Sequence, residues 1–285
     1  MDELVIATPL WLLAVLLFVA LLLAWEAGRW LHHRTARSDG EAAEHDYILN
    51  GVLGLLALLV AFTFGLALDR YDARRELVVD EANAIGTAEM RVRLLDAPYN
   101  LTLPTLYREY AKTRLAYGEA VAAKKPPLLA KSQALRTRIE AEALTALQPI
   151  RTTPLAAMVT PAINESLDIG VEREATHASR IPTAVLAVLA IYALVSAGVL
   201  GSALDSAGRP RRGMSALLFL LLTMAIVVIL DLDRSQEGAI RVSQEPLAQL
   251  VKGFDATPLP SPASPPSPAT AVSAAAGGSS DRPAR

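Results

Sequence analysis

The chain has 285 residues, is 52% hydrophobic and has a mean hydropathy of +0.33, so membrane spans have to be sought before a soluble core. A formal net charge of -2 provides no polycationic surface and argues against nucleic acid as a partner. The absence of cysteine excludes disulfides and thiolate metal or redox sites.

Residues 4–25 carry no charge and are long enough to cross a hydrocarbon core of roughly 30 Å. Met1-Asp2-Glu3 lacks the positive charge of a secretory leader, so an uncleaved span is expected. Trp25 and Trp30 sit where interfacial anchors belong, and Trp11 lies within the span. A short loop, 26–47, leads to a second span, 48–68, and the two form a hairpin over 1–68. A third span is expected at 181–204 and a fourth at 214–230, forming a second hairpin over 181–230. An ionised group at mid-membrane costs at least ~2.5 kcal/mol, and none of the four span centres carries one. In lipid each span has to satisfy its own backbone, which predicts helices throughout.

Residues 69–180 form a water-side island, and its pattern is helical. The second span is predicted to continue into water as one helix. Neither Gly nor Pro interrupts residues 66–85, and Val78, Ala82, Ile85, Ala88, Val92 and Leu95 recur on one face. Pro98 and Asn100 would end it. Thr102 would cap a second helix with Leu103, Leu106, Tyr110, Tyr117 and Val121 in its stripe. A turn at Lys124-Lys125-Pro126-Pro127 precedes a third helix, 128–148, and a fourth follows over 154–179, with a kink expected at Pro161. Residues 231–255 read as a juxtamembrane helix. The Pro/Ser/Ala-rich tail, 256–285, has too little apolar content for a core and is expected to be disordered. The predicted class is all-α: a four-transmembrane-helix protein with a helical bundle domain inserted between spans two and three.

Arg29, Arg34 and Arg37 in one short loop and Arg209, Arg211 and Arg212 in the other predict that both loops face the cytoplasm. The helical domain would then be periplasmic. Arg70, Arg74, Arg75, Arg234 and Arg241 at the other span ends oppose this placement.

Two charged clusters flank the same side of the membrane. Asp69, Arg70, Asp72, Arg74 and Arg75 end span two; Asp231, Asp233, Arg234, Glu237 and Arg241 end span four. They can meet as a structural ion-pair belt, as an ion-selecting vestibule, or act as interfacial anchors alone. Calcium at Asp231, Asp233 and Glu237 lacks the glycine pattern of a calcium loop. Ala57, Ala61 and Gly65 in span two, and Ala193, Ala197 and Gly201 in span three, recur every fourth residue and predict close helix packing, within or between subunits. His32, His33 and His45 share a loop with carboxylates but contain no i, i+4 pair for zinc. His177 with Glu172 and Glu174 is the sole acid–base grouping, better explained as a solvated helix face. No metal, cofactor or enzymatic activity is expected.

Three segments, "FTFGLALDRYDARRELVVDEANAIGTAEMRVRLL", "INESLDIGVEREATHASRIP" and "DLDRSQEGAIRVSQEPLAQL", resemble a family of bacterial inner-membrane proteins known as bestrophin-like domain proteins. The resemblance runs over about 47–250, and the family has no settled activity. Its label points to bestrophins, which are pentameric, calcium-gated anion channels with a helical domain beside the membrane and both termini in the cytoplasm. The Ile-Pro and multiple-phenylalanine neck of bestrophins has no counterpart here; Phe62 and Phe64 are the one aromatic pair within spans two to four. Two functions follow. The first is a non-catalytic membrane scaffold or sensor whose helical domain binds a protein partner, in keeping with spans that lack polar residues. The alternative is an oligomeric bestrophin-like ion channel or pore, in keeping with the label and the two clusters. Both place the chain in a lipid bilayer, and the second requires a homo-oligomer.

Overall fold

The structure is a computed structural model that describes residues 8–35, 42–206, 212–234, 238 and 240–259. Every regular element among these residues is helical. The elements are α1 (Leu10–Thr35), α2 (Ala42–Val92), α3 (Tyr99–Glu119), α4 (Lys125–Leu147), α5 (Pro154–Ala178), α6 (Thr183–Ser206), α7 (Arg212–Asp233) and α8 (Glu245–Ala256). Short 3-10 turns precede and follow α4. α1, α6, α7 and the first half of α2 are long and apolar enough to cross a membrane.

α2 is one unbroken helix of 51 residues. Its first half belongs to a span core of Leu21, Trp25, Leu56, Ala67, Leu189, Phe219 and Ile229. Its second half belongs to another core, in which Val78, Ala82, Ile85, Ala88 and Val92 meet Leu103, Tyr107 and Tyr110 of α3, Leu135 and Ile139 of α4, Val159 and Ile163 of α5, and Leu247 and Phe254 of α8. Tyr71 packs against both cores and marks the joint between them.

Several element ends differ from expectation. α1 runs ten residues past Trp25, because Arg29 finds a place inside, stacked 5.1 Å from the Trp25 ring and paired with Glu26. α2 stops at Val92, and Pro98 opens α3 four residues before Thr102, which instead donates its hydroxyl back to the Pro98 carbonyl. Pro126 and Pro127 lie in the first turn of α4 and not in a preceding turn, since an N-terminal turn has no use for their missing N–H groups. Val121 lies outside α3 and is exposed. Residues 231–255 are helical to Asp233 and again from Glu245, with a non-helical link at 241–244. The tail from 260 onward lies outside the described residues.

The two small-residue stripes part company. Ala193 and Ala197 are buried, and a side chain at Gly201 would run into the Trp25 carbonyl of α1. One turn away, a Cβ on Gly28 would overlap the Gly198 carbonyl. α1 and α6 therefore cross in the same direction with their backbones in contact. Ala57 and Ala61 of α2 are exposed, and no atom lies within 4 Å of a Cβ built on Gly65.

Gly28→Val should cost about 1–3 kcal/mol of stability, because the obstacle is backbone and cannot swing aside. Gly51→Ala, with nothing within 4 Å, should cost far less. Thermal unfolding of both variants in detergent distinguishes them; equal losses would contradict the contact between α1 and α6.

Candidate functional site

Arg74 is the centre of the juxtamembrane junction. It is buried, and its guanidinium donates to the carbonyls of Leu232 at 2.7 Å and Asp233 at 3.2 Å, and through Nε to its own helix at Arg70 at 3.1 Å. The last carbonyls of a helix lack intrahelical partners and carry its negative pole, so an arginine from α2 caps α7. Asp233 in turn accepts the Ile181 N–H through Oδ1 at 2.9 Å, fixing the entry to α6. Asp231 accepts the Ile240 N–H through Oδ2 at 3.1 Å and folds the following chain back. Arg70 donates to the Ser179 hydroxyl at 3.0 Å at the end of α5. Four segments are thereby tied at one level: α2, the α5–α6 joint, the end of α7 and the strap that leads to α8.

Of the two sequence clusters, Arg74 reaches Asp233, and it does so through a main-chain carbonyl. Asp69, Asp72 and Arg75 are exposed and make no hydrogen bond or ion pair among the described residues. Arg241 is exposed and donates to the Gly238 carbonyl at 3.4 Å. The Arg234 N–H extends the end of α7 through the Leu230 carbonyl at 3.1 Å. Glu237 and His45 lie outside the residues whose side chains are described. No group of His and carboxylate side chains suited to a metal occurs among the described residues.

A second polar centre escaped the sequence reading. Glu81 of α2, Arg114 of α3 and Arg173 of α5 are all fully or nearly fully buried. Glu81 accepts from Arg114 Nε through Oε1 and from Arg173 Nη1 through Oε2. Arg114 also pairs with Glu174 at 2.5 Å and donates to the Gly170 carbonyl at 3.2 Å; Arg173 donates to Gln244 of the strap. Two carboxylates thus balance two guanidiniums, with nearly every charged edge satisfied. The signal was available in the letters: Glu81 falls between Val78 and Ala82 on the apolar face of α2, and Arg114 between Tyr110 and Tyr117 on that of α3.

His177, Glu172 and Glu174 do not assemble as an acid–base group. Glu172 is exposed and Glu174 is engaged by Arg114. The buried ring nitrogens of His177 have no hydrogen-bond partner among the described residues, and the ring meets Tyr117 edge-on at 6.4 Å. Burial, reinforced by the nearby positive charges of Arg173, Lys125, Arg74 and Arg114, lowers its pKa from 6.5 to about 3. Burial likewise pushes the Tyr110 hydroxyl up to about 12.

A groove of about 710 Å³ runs between α2, α6 and α7; Ala57, Ala61 and Phe64 of α2 line it, opposite Phe219 and Met224. Beside it, α2 carries an uncovered stripe. Gly51, Leu55, Leu58, Phe62, Leu66, Asp69, Asp72, Glu76, Asp80 and Asn83 are all exposed and follow each other at intervals of three or four. The stripe is apolar up to Leu66 and acidic from Asp69. It carries no arginine: Arg70 and Arg74 turn towards the junction, and Arg75 lines a cleft against Glu245 and Gln249 of α8.

The family model for the Bestrophin-like domain matches residues 14–247. The chain belongs to the Bestrophin-like domain family. This bestrophin-like chain shares its fold with crystal structures of a bacterial bestrophin homologue from Klebsiella pneumoniae. One variant aligns with a TM-score of 0.57 at 12% identity, covering 86% of this chain and 97% of that one. Another aligns with a TM-score of 0.56 at 11% identity, covering 84% and 95%. No curated protein matches the chain.

Two tests follow. Glu81→Ala leaves Arg114 and Arg173 buried without their shared partner and should cost about 3–5 kcal/mol, whereas Glu76→Ala, on the exposed face, should be near neutral; chemical unfolding measures both. For His177, the folded pKa lies below the unfolded one, so its contribution is complete above pH 6.5 and lost as pH falls from 6.5 towards 3. His177→Gln should flatten that part of the stability–pH curve; an unchanged slope would contradict a buried neutral imidazole.

Proposed function

We propose that this protein is an oligomeric ion channel of the bacterial inner membrane, in which copies of α2 surround the conduction path. The observation that carries the reading is the uncovered stripe of α2, which continues in phase from the membrane half of the helix into its water-side half. A lone helix facing lipid has no reason to keep the same face open and acidic beyond the membrane. Copies arranged around that face would give an apolar constriction at Leu55, Leu58 and Phe62, followed by rings of Asp69, Asp72, Glu76 and Asp80. Apolar constrictions gate by dewetting, and rings of carboxylates admit cations in preference to anions. The small residues Ala57 and Ala61 in the groove beside the stripe suit the close approach of a neighbouring copy's helix.

The family and the fold favour this reading over a scaffold or sensor, whose support was the lack of polar residues within the spans. A channel with a hydrophobic gate also lacks them. In this reading the charged junction divides in two: Arg74, Asp231 and Asp233 are structural, and the exposed carboxylates of α2 face the ion. Residues 69–180 act as a helical domain between spans two and three that holds the water-side half of α2. We keep its periplasmic placement on the short-loop arginines; reporter fusions at Ala123 and Ser38 test it, and activity in the cytoplasm at Ala123 would reverse it.

Reconstituted in liposomes, the oligomer should pass potassium more readily than chloride. Neutralising Asp69, Asp72, Glu76 and Asp80 together with amide replacements should lower that preference severalfold while the protein still assembles. No flux from an assembled ring would contradict the channel, and a native preference for anions would contradict the role of the acidic stripe.

A further inference from the structure

In the water-side half, two helices flank the open stripe of α2 from opposite sides. The stripe passes through Asp72, Glu76, Asp80 and Asn83. At 3.6 residues per turn, Arg75, Val79 and Gly86 lie roughly a quarter turn to one side of it, and Glu81 and Arg91 lie roughly a quarter turn or more to the other. α8 occupies the first flank, where a Cβ on Gly86 would meet Leu250 at 3.1 Å. α5 occupies the second, through Arg173 on Glu81 and through the Met158 carbonyl, which accepts from Arg91 at 3.0 Å. The α8 flank is recessed. A cleft of about 580 Å³ opens between α2 and α8, lined by the apolar Val79, Ala82 and Leu250 and edged by the exposed Arg75, Asn83 and Gln249. It lies on the same flank as the groove of the membrane half, because Ala57, Ala61 and Phe64 of that groove each stand about five turns before Arg75, Val79 and Ala82.

The α5 flank projects. Its exposed face carries Glu165, Asp168 and Glu172 together with Met158 and Val171, and no lysine or arginine. None of the three carboxylates makes an ion pair or hydrogen bond among the described residues. On the α8 flank, Arg75 and Lys252 are exposed and likewise have no carboxylate partner among the described residues. Glu245, which also lines the cleft, accepts from Gln249 at 3.2 Å. The heights agree as well. α8 rises beside α2: Leu250 faces Gly86, and Arg108 joins Glu89 to the Phe254 carbonyl, so Lys252 lies between the levels of Gly86 and Glu89. α5 descends on the other side, which puts Asp168 and Glu165 between the levels of Glu81 and Arg91.

We propose that copies of this chain join head to tail, with the exposed face of α5 in one copy seated in the α2–α8 cleft of the next. The inference rests on the pore reading: once every open stripe faces one axis, the two flanks of α2 are the surfaces that neighbours present to each other. Contacts between two different patches of the same chain close into a ring. Rotation about an axis along α2 leaves each residue at its own height. Asp168 and Glu165 therefore come level with Lys252, and Val171 and Glu172, beside Arg173, come level with Ala82 and Asn83. The apolar part of the cleft receives Val171, and the cationic edge receives the carboxylates. Opposite charges at such a joint set its register and exclude the wrong partner surface. Pairing α5 with a second α5 would set carboxylate against carboxylate.

The experiment is oxidative cross-linking of the full chain in native membranes, with cysteines on both flanks. Asp168→Cys and Lys252→Cys in one chain should give a ladder of covalent multimers that ends at the closed ring. Each cysteine alone should leave monomers, and so should Asp168→Cys combined with Arg138→Cys, which is exposed on α4. Covalent dimers from Asp168→Cys alone would put α5 against α5 and overturn the proposal. A missing ladder while Phe62→Cys still cross-links would overturn it too, and would leave α2 at the axis. Silence at Phe62 as well would remove both readings. Charge reversal supplies an independent readout in detergent. Asp168→Lys should lower the share of oligomer on size exclusion severalfold, and adding Lys252→Asp should restore it. An oligomer share that Asp168→Lys leaves unchanged, or that the second exchange does not restore, would overturn the pairing.

Discussion

The structure depends on one constraint: α2 has to be a single rigid helix in two solvents. Its covered face keeps one phase over its whole length, through Leu56, Thr63, Ala67, Arg74, Val78, Glu81, Ile85 and Val92. In the membrane half that face packs into an apolar core, and its Thr63 hydroxyl bonds back to the Leu59 carbonyl at 2.7 Å, as a dry environment demands. In the water-side half the same face admits Arg74, Glu81 and Glu89, because there α3, α5 and α7 supply charges and carbonyls to receive them. The opposite face is left open from Gly51 to Asn83. A helix with one face packed and the other free, crossing from lipid into water without a break, can line a path as well as hold a bundle.

Burying ionised groups is expensive, and a network replaced by well-packed apolar residues is often no less stable. The buried arginines are better understood as devices of alignment. Arg74 fixes where the end of α7 meets α2, and Arg173 fixes the strap against the bundle through Gln244. Arg108 does the same further along, donating to the carbonyls of Phe254 and Thr257 while pairing with Glu89. Each contact joins segments far apart in sequence. Together these contacts tie the end of α7, the strap and α8 to the bundle.

Hydropathy and period were sufficient for the elements whose physics is local. The spans, the uninterrupted run of α2 and the stripes of Leu103, Leu106 and Tyr110 and of Leu135, Ile139 and Ala143 all follow from them, and each of these residues is buried. The site was legible only in part. The two charged clusters were placed on one side of the membrane, but not that Arg74 would cap a distant helix with its carbonyls as acceptors. Partners of that kind leave no mark in the letters. Glu81 and Arg114 did leave one, as charges on apolar faces. The spacing of Ala57, Ala61 and Gly65 matched that of Ala193, Ala197 and Gly201, yet only the second stripe found α1. Spacing reports that a helix can be approached closely and is silent about what approaches.

The chain has no cysteine, so single cysteines report proximity without background. The decisive measurement is oxidative cross-linking in native membranes of Phe62→Cys, Glu76→Cys and Trp30→Cys. Phe62 and Glu76 lie on the open stripe of α2 at two depths, and Trp30 lies on α1 beyond it. Covalent dimers from both α2 positions and none from Trp30 are the predicted result. Dimers from Trp30 with none from Phe62 or Glu76 would place α2 away from the axis and contradict the account.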